Sequence, residues 1–210
     1  MTLYLNIPYD EKDEAKKLGA KWNSDKRKWF VQNKNEYRKF AKWILGNNEE
    51  KYVLCDYIYI VKAEKTCFKC HTKSEIIALG IVDYIRFFPN GKIYSQINSS
   101  ILRLLSSVDS IPKEIADILK NKHNFYKSYS QKIDSFYYAN HCPICNTIHG
   151  KFFLFDEIDS PFFIWSKKQL KNLQIYKIPL KNDIVVSAEI AYNFGSQKLI
   201  EFDEIEEISL

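Results

Sequence analysis

Four cysteines in two CxxC pairs, Cys67-Phe68-Lys69-Cys70 and Cys142-Pro143-Ile144-Cys145, are the residues whose types and spacing point most directly to chemistry. The two-residue spacing lets both sulfurs of a pair turn into one tetrahedral corner while nearby backbone N–H groups soften their charge. Zn2+ is the usual occupant of such a four-thiolate set. Lys65 and Lys69 would partly offset its double negative charge. A closed set leaves no position for water or substrate, so a single structural zinc ion is expected to fold the chain and not to catalyse. The 71 residues between Cys70 and Cys142 exceed the about 15–20 of a simple ribbon, which predicts a zinc-ribbon-like domain interrupted by a long insertion. His71, His141 and His149 are rival ligands that a four-cysteine set does not require. A thioredoxin-type redox reading of either CxxC lacks its βαβ context. The fifth cysteine, Cys55, reads as a small hydrophobe within a strand.

A second set interleaves cations with tryptophans: Lys21-Trp22 and Lys26-Arg27-Lys28-Trp29. Cations track phosphates and aromatic rings stack unpaired bases, so the segment suits single-stranded or junction nucleic acid. Trp22 and Trp29 are equally readable as the core of a small unit, with the lysines as its solvated rim. Elsewhere, His149 with Asp156, Glu157 and Asp159 is the best candidate for a second metal of nuclease type, against a reading as a turn between strands. Pro161-Phe162-Phe163-Ile164-Trp165 is either an exposed partner surface or a buried strand.

The elements that position these residues follow from the patterning. Leu3 to Pro8 reads as a strand, Asp10 as the N-cap of a short helix that ends at Gly19, and Ser24 to Arg27 as a polar turn before a strand centred on Trp29 and Val31. Tyr37, Phe40, Ala41, Ile44 and Leu45 recur at helical spacing, with Gly46 as the C-terminal cap. This is a small βαβα-like unit over 1–46, followed by a linker at Gly46 to Glu50. Such a unit has little core of its own and should lean on the rest of the chain or ride as a mobile appendage. Beyond it, strands are expected at 52–61, 75–82, 92–97, 152–156, 183–190 and 198–202, and a helix from Pro112 to Asn121. The fold class is therefore α+β, with a β-rich domain over 51–210 and a solvated acidic tail at 203–207.

The 210 residues carry a formal charge of +5, too mild to identify a nucleic-acid binder by itself. Its distribution says more: residues 1–46 hold eleven Lys/Arg against six Asp/Glu, so the whole excess lies there. No stretch has the roughly 18 unbroken apolar residues of a membrane helix. The start of the chain is unlike a signal peptide, and the unpaired cysteine count fits a reducing compartment, so a cytoplasmic protein is expected. P-loop and dinucleotide glycine patterns are absent, so no nucleotide cofactor is expected.

Tyr4-Leu5-Asn6-Ile7-Pro8-Tyr9, Asp10 to Ala15, Leu18-Gly19-Ala20-Lys21-Trp22 and Lys28-Trp29-Phe30-Val31 together resemble a small bacterial domain of unknown function, DUF5710. That domain is found alone or appended to conjugative primases and topoisomerase-like proteins. The Asp25 to Lys28 turn and Trp29 also resemble, more loosely, the HARP domain of annealing helicases. The two knuckles, with Asn140-His141 before the second and Gly150 after it, are similar to those of a bacterial and phage group that carries the same domain. These resemblances imply DNA as the partner. The expected role is a zinc-stabilised nucleic-acid-binding protein, accessory to a mobile element or phage. The alternative is a protein-interaction module or inhibitor of a host protein, and a metal-dependent nuclease ranks behind both.

Overall fold

A computed structural model describes residues 1–46, 49–97, 101–191 and 206–207. The chain begins with β1 (Leu3–Leu5), a 3-10 turn (Tyr9–Glu11) and α1 (Lys12–Lys17). It continues through β2 (Lys21–Asn23), β3 (Lys28–Val31), a 3-10 segment (Lys34–Phe40) and α2 (Ala41–Leu45). The three strands form one antiparallel sheet in the order β1-β3-β2. Gly19, at φ +100, ends the first helix in a conformation that costs glycine little. The polar turn is closed by the Lys26 N–H donating to Asn23 Oδ1 at 2.8 Å, with Arg27 left-handed at φ 49. Two expectations are corrected. Trp22 has a strand of its own, making the unit βαββα instead of βαβα. Asp10 lies inside the 3-10 turn, and α1 has no side-chain cap; its dipole is met by Asp13 and Glu14 in the first turn and Lys16 and Lys17 in the last.

The larger part is a 12-stranded sheet. Its strands are β4 (Lys51–Leu54), β5 (Tyr57–Thr66), β6 (Lys73–Ile81), β7 (Tyr84–Phe87), β8 (Ile93–Gln96) and β9 (Arg103–Ser110). After α3 (Lys113–His123) come β10 (Phe125–Ser130), β11 (Ser135–His141) and β12 (Ile148–His149). A short α4 (Lys167–Leu170) precedes β13 (Gln174–Pro179), β14 (Ile184–Ile190) and β15 (Glu206–Glu207). The main path runs β15-β13-β5-β6-β9-β14-β4-β7-β8, and the β10-β11-β12 meander joins it where β11 meets β9. Strands and helices coexist as an α+β fold. Among the described residues, no helix is long and apolar enough to cross a membrane.

Two strand expectations and the expected insertion need revision. The run 52–61 is two strands, broken at Cys55 and Asp56, where Asp56 turns left-handed at φ 63. Segment 152–156 is a π-helical turn (Phe152–Asp156), since Phe152 and Phe153 are exposed while Leu154 and Phe155 are buried. A two-out, two-in sequence cannot lie on a pleat whose side chains alternate. The supposed insertion between the knuckles is the body of the domain, supplying β6 to β11 and α3. Segment 198–202 lies outside the described residues, as do 203–205 of the acidic tail; Glu206 and Glu207 pair in parallel with Tyr176 and Lys177 of β13.

β5 alternates in both directions, with Ile58 and Ile60 facing a core under α3 and Tyr59 and Val61 facing a second core that contains Phe155, Phe162 and Ile164. A third core crosses from the first unit to the second, joining Leu5, Trp29, Tyr37 and Phe40 to Val53 and Phe87. The N-terminal unit therefore leans on the rest of the chain, as an undersized core requires. Polar contacts fix the same junction. The Tyr37 hydroxyl donates to Asp183 Oδ2 at 2.7 Å, the Asp56 N–H donates to Asp183 Oδ1 at 3.1 Å, and the Asp183 N–H donates to the Thr2 carbonyl at 2.9 Å. Lys34 pairs with Asp56 at its edge. Cys55 is fully buried there, and burial pushes its thiol up to about 12, so it packs as a small hydrophobe.

Candidate metal centre and nucleic-acid face

The knuckles are the turns of two hairpins, β5–β6 and β11–β12, and they share one backbone design. In the first, the Cys67 N–H donates to the Thr72 carbonyl and the His71 N–H to the Cys67 carbonyl, both at 2.9 Å. In the second, the Cys142 N–H donates to the Thr147 carbonyl and the Asn146 N–H to the Cys142 carbonyl, again at 2.9 Å. His71 and Asn146 occupy the same left-handed position, at φ 58 and 59. The repeated unit is C-x-x-C-(H/N)-T. The threonine at a fixed offset was a signal in the sequence that the cysteine spacing alone overlooks.

The turns bring the four sulfurs within 4.8 Å of one another, with Cys67 Sγ 3.6 Å from Cys145 Sγ and Cys70 Sγ 3.5 Å from Cys142 Sγ. Metal–sulfur bonds of about 2.3 Å in a tetrahedron put sulfurs about 3.8 Å apart, so the quartet fits one metal ion. Cys145 is drawn down to about 6, first by the Thr147 hydroxyl 3.2 Å from its sulfur and then by the Thr147 N–H. Cys70 is lowered in the same way, first by Thr72. Cys142 goes up to about 11; the Cys145 N–H works against that rise, but burial and the neighbouring sulfurs outweigh it. Four sulfurs this close cannot all ionise unless a cation compensates them.

The histidines act around the quartet. His141 is buried with both ring nitrogens engaged, Nε2 with Ser128 Oγ at 2.9 Å and Nδ1 with the Ala139 carbonyl at 3.0 Å. Its ring stacks on Tyr126 at 3.7 Å, and the Tyr126 hydroxyl donates to Asn146 Oδ1, so the second knuckle is braced from behind. His71 is exposed and serves the turn. His149 is buried at 4%, with no partner for Nε2. Among the described residues, the cysteine quartet is the one group of three or more possible ligands brought together; His149, Asp156, Glu157 and Asp159 form no such group. The Pro161–Trp165 run lies outside every strand, and with Phe162 and Ile164 buried and Trp165 exposed it is not a continuous surface either.

Register sorts the basic aromatic segment into two faces. The pairs Leu5↔Trp29 and Trp22↔Trp29 put these three side chains on one face. There Trp29 is buried at 7% and Trp22 lies against it edge-on at 5.4 Å, with 52% of Trp22 still exposed. The pairs Tyr4↔Phe30, Lys21↔Phe30 and Asn23↔Lys28 define the opposite, outer face. Tyr4 and Phe30 are partly exposed with ring centres 5.9 Å apart, and Lys26 Nζ sits 4.3 Å over the Tyr4 ring. Lys21 donates to Gln32 at 3.4 Å. Among the described residues, Lys21, Lys26, Arg27 and Lys28 form no ion pair with a carboxylate. Lys21, Lys26 and Lys28 thus lie around Tyr4 and Phe30, two aromatics outside the cation–tryptophan set, although their alternation with Leu3, Leu5, Trp29 and Val31 encodes the face.

Residues 2–44 match the family described as Domain of unknown function (DUF5710). The first unit is a DUF5710 domain. Two proteins of Escherichia coli named DNA primase TraC resemble it, one 49% identical over 43 residues and the other 50% identical over 40. The matches cover 20% and 19% of this chain but only 3% and 4% of the primases, so the chain shares a small fraction of its relatives' length. No solved structure matches. The DUF5710 match contains the entire outer face, Tyr4, Lys21, Lys26, Lys28 and Phe30, whereas all four clustered cysteines lie beyond it.

Proposed function

We propose that this chain binds single-stranded nucleic acid, with DNA favoured, through the outer face of its DUF5710 domain, and that one structural zinc ion on Cys67, Cys70, Cys142 and Cys145 stabilises the 51–210 unit behind it. The observation that carries the reading is the Tyr4–Phe30 pair ringed by Lys21, Lys26 and Lys28. Rings on a sheet face stack bases without regard to sequence, and lysines not neutralised by a carboxylate offset the charge of the phosphates beside them. Arg27, at the tip of the turn, adds a fourth cation. The match to DNA primases supports a DNA setting. Zinc is preferred for the quartet because four thiolates in a closed tetrahedral set suit it best, and the site then holds the two hairpins together without a reactive position.

Replacing Lys21, Lys26 and Lys28 with alanine is expected to weaken binding to oligothymidylate about ten-fold or more at low salt. The slope of log affinity against log salt should fall by about 2, since each single-strand phosphate contact contributes about 0.7. Fluorescence anisotropy reads both quantities. Unchanged affinity and slope in the triple variant would remove the outer face from consideration.

A further inference from the structure

We infer that the nucleic-acid path does not end on the DUF5710 domain but continues into a groove at its junction with the larger unit, where Lys51 and Lys113 take further phosphates of the same single strand. The inference rests on the nucleic-acid reading of the outer face and extends it to residues outside the family match. The groove has a volume of about 770 Å3. Tyr4, Lys26 and Lys28 line it from one side; Lys51 and the Pro112–Lys113 start of α3 line it from the other. One edge of the outer face is therefore one wall of the groove, and the path from Tyr4 to Lys113 is continuous.

Three features of the groove fit a polyanion. Four lysines from two units converge on it. Two carboxylates also line it, Glu114 and Asp183, but Asp183 is only 3% exposed and already accepts from the Tyr37 hydroxyl and the Asp56 N–H. Lys113 is held by Asp117 in an exposed pair of the kind that contributes little and yields to a stronger anion; Lys51 is largely buried, and its partner Glu49 is the exposed member of that pair. The mouth of the 11-residue α3 adds the positive end of a helix dipole, since Ile115 and Ala116 are the first N–H groups bonded back to Pro112. Finally, the shared core and the Tyr37–Asp183 contact fix the spacing of the two lysine pairs, so a strand meets a preorganised path.

The test is anisotropy with labelled oligothymidylates of about 4 to 16 nucleotides, the span of known single-strand site sizes. It compares the intact chain with K26A/K28A and K51A/K113A variants of proven metal content and melting midpoint. The K51A/K113A variant should bind the shortest oligomer like the wild type, bind the longest several-fold more weakly, and lose about 1.4 from the salt slope. The lysine-to-arginine pair K51R/K113R, which keeps the charge, should restore both. If K51A/K113A matches the wild type at every length while K26A/K28A is impaired, the groove is not part of the path and the outer face alone stands. If the wild type binds no oligomer, the nucleic-acid reading itself falls. Should the alanine pair melt early, failure of K51R/K113R to bind the longest oligomer more tightly than the shortest overturns the inference equally.

Discussion

Stripping the metal with a chelator, or replacing Cys145 with serine, is expected to lower the melting midpoint by on the order of 10–20 °C, with about one zinc released per chain. The size of the effect follows from where the quartet lies. Cys67 and Cys70 close the β5–β6 hairpin, and Cys142 and Cys145 close β11–β12. Between them runs most of the sheet, so a metal held by all four would cross-link two turns that are 71 residues apart in the chain. Without it, sulfurs 3.5–3.6 Å apart must share protons, and the lowered thiols of Cys70 and Cys145 lose the cation they are arranged to meet. The Thr72 and Thr147 hydroxyls, the His141 ring and Tyr126 would then brace an empty centre. Protein purified without metal, or a melting curve indifferent to chelation, would contradict this assignment.

The second large effect is expected at the junction. Tyr37→Phe removes the hydroxyl that donates to Asp183, leaving a carboxylate 3% exposed with the Asp56 N–H against its other oxygen. Hydrogen bonds to buried charges are worth about 1.5–3 kcal/mol, so a loss of about 2–3 kcal/mol is expected. For a chain of this size that corresponds to about 4–12 °C in melting midpoint. The ring itself stays, so packing against Phe40 and Val53 in the shared core is retained. A change below about 1 kcal/mol would mean that the Tyr37–Asp183 hydrogen bond is not what seats the DUF5710 domain.

What was legible in the sequence were features written in short range. The CxxC pairs, the polar turn before Trp29, the left-handed Gly19 and Gly46, and Pro112 at the start of α3 are all local signals. What was not legible depends on partners far away in the chain. Tyr37 and Asp183 are 146 residues apart, and nothing near either announces the other. The long segment between the knuckles reads as an insertion only when the cysteines are taken as the frame; the sheet shows the cysteines to be turns on a frame that this segment builds. The basic aromatic unit illustrates a subtler limit. Its tryptophans draw attention by residue type, yet β-strand register puts Trp29 in the core and turns Tyr4 and Phe30 to the lysines. The two-in, two-out π-helical turn at Phe152–Asp156 is likewise invisible to a reading that counts only how apolar a run is.

The central claim is that nucleic acid lies on the outer face of the DUF5710 domain. The most direct test is a two-dimensional NMR titration of the metal-loaded chain with a short oligothymidylate, following the aromatic signals of Tyr4 and Phe30, the amides of Lys21 and Lys28, and the indole of Trp22. Shifts are expected at the first four and little change at Trp22, which sits on the opposite face against Trp29. Shifts confined to Trp22, or none anywhere, would contradict that claim.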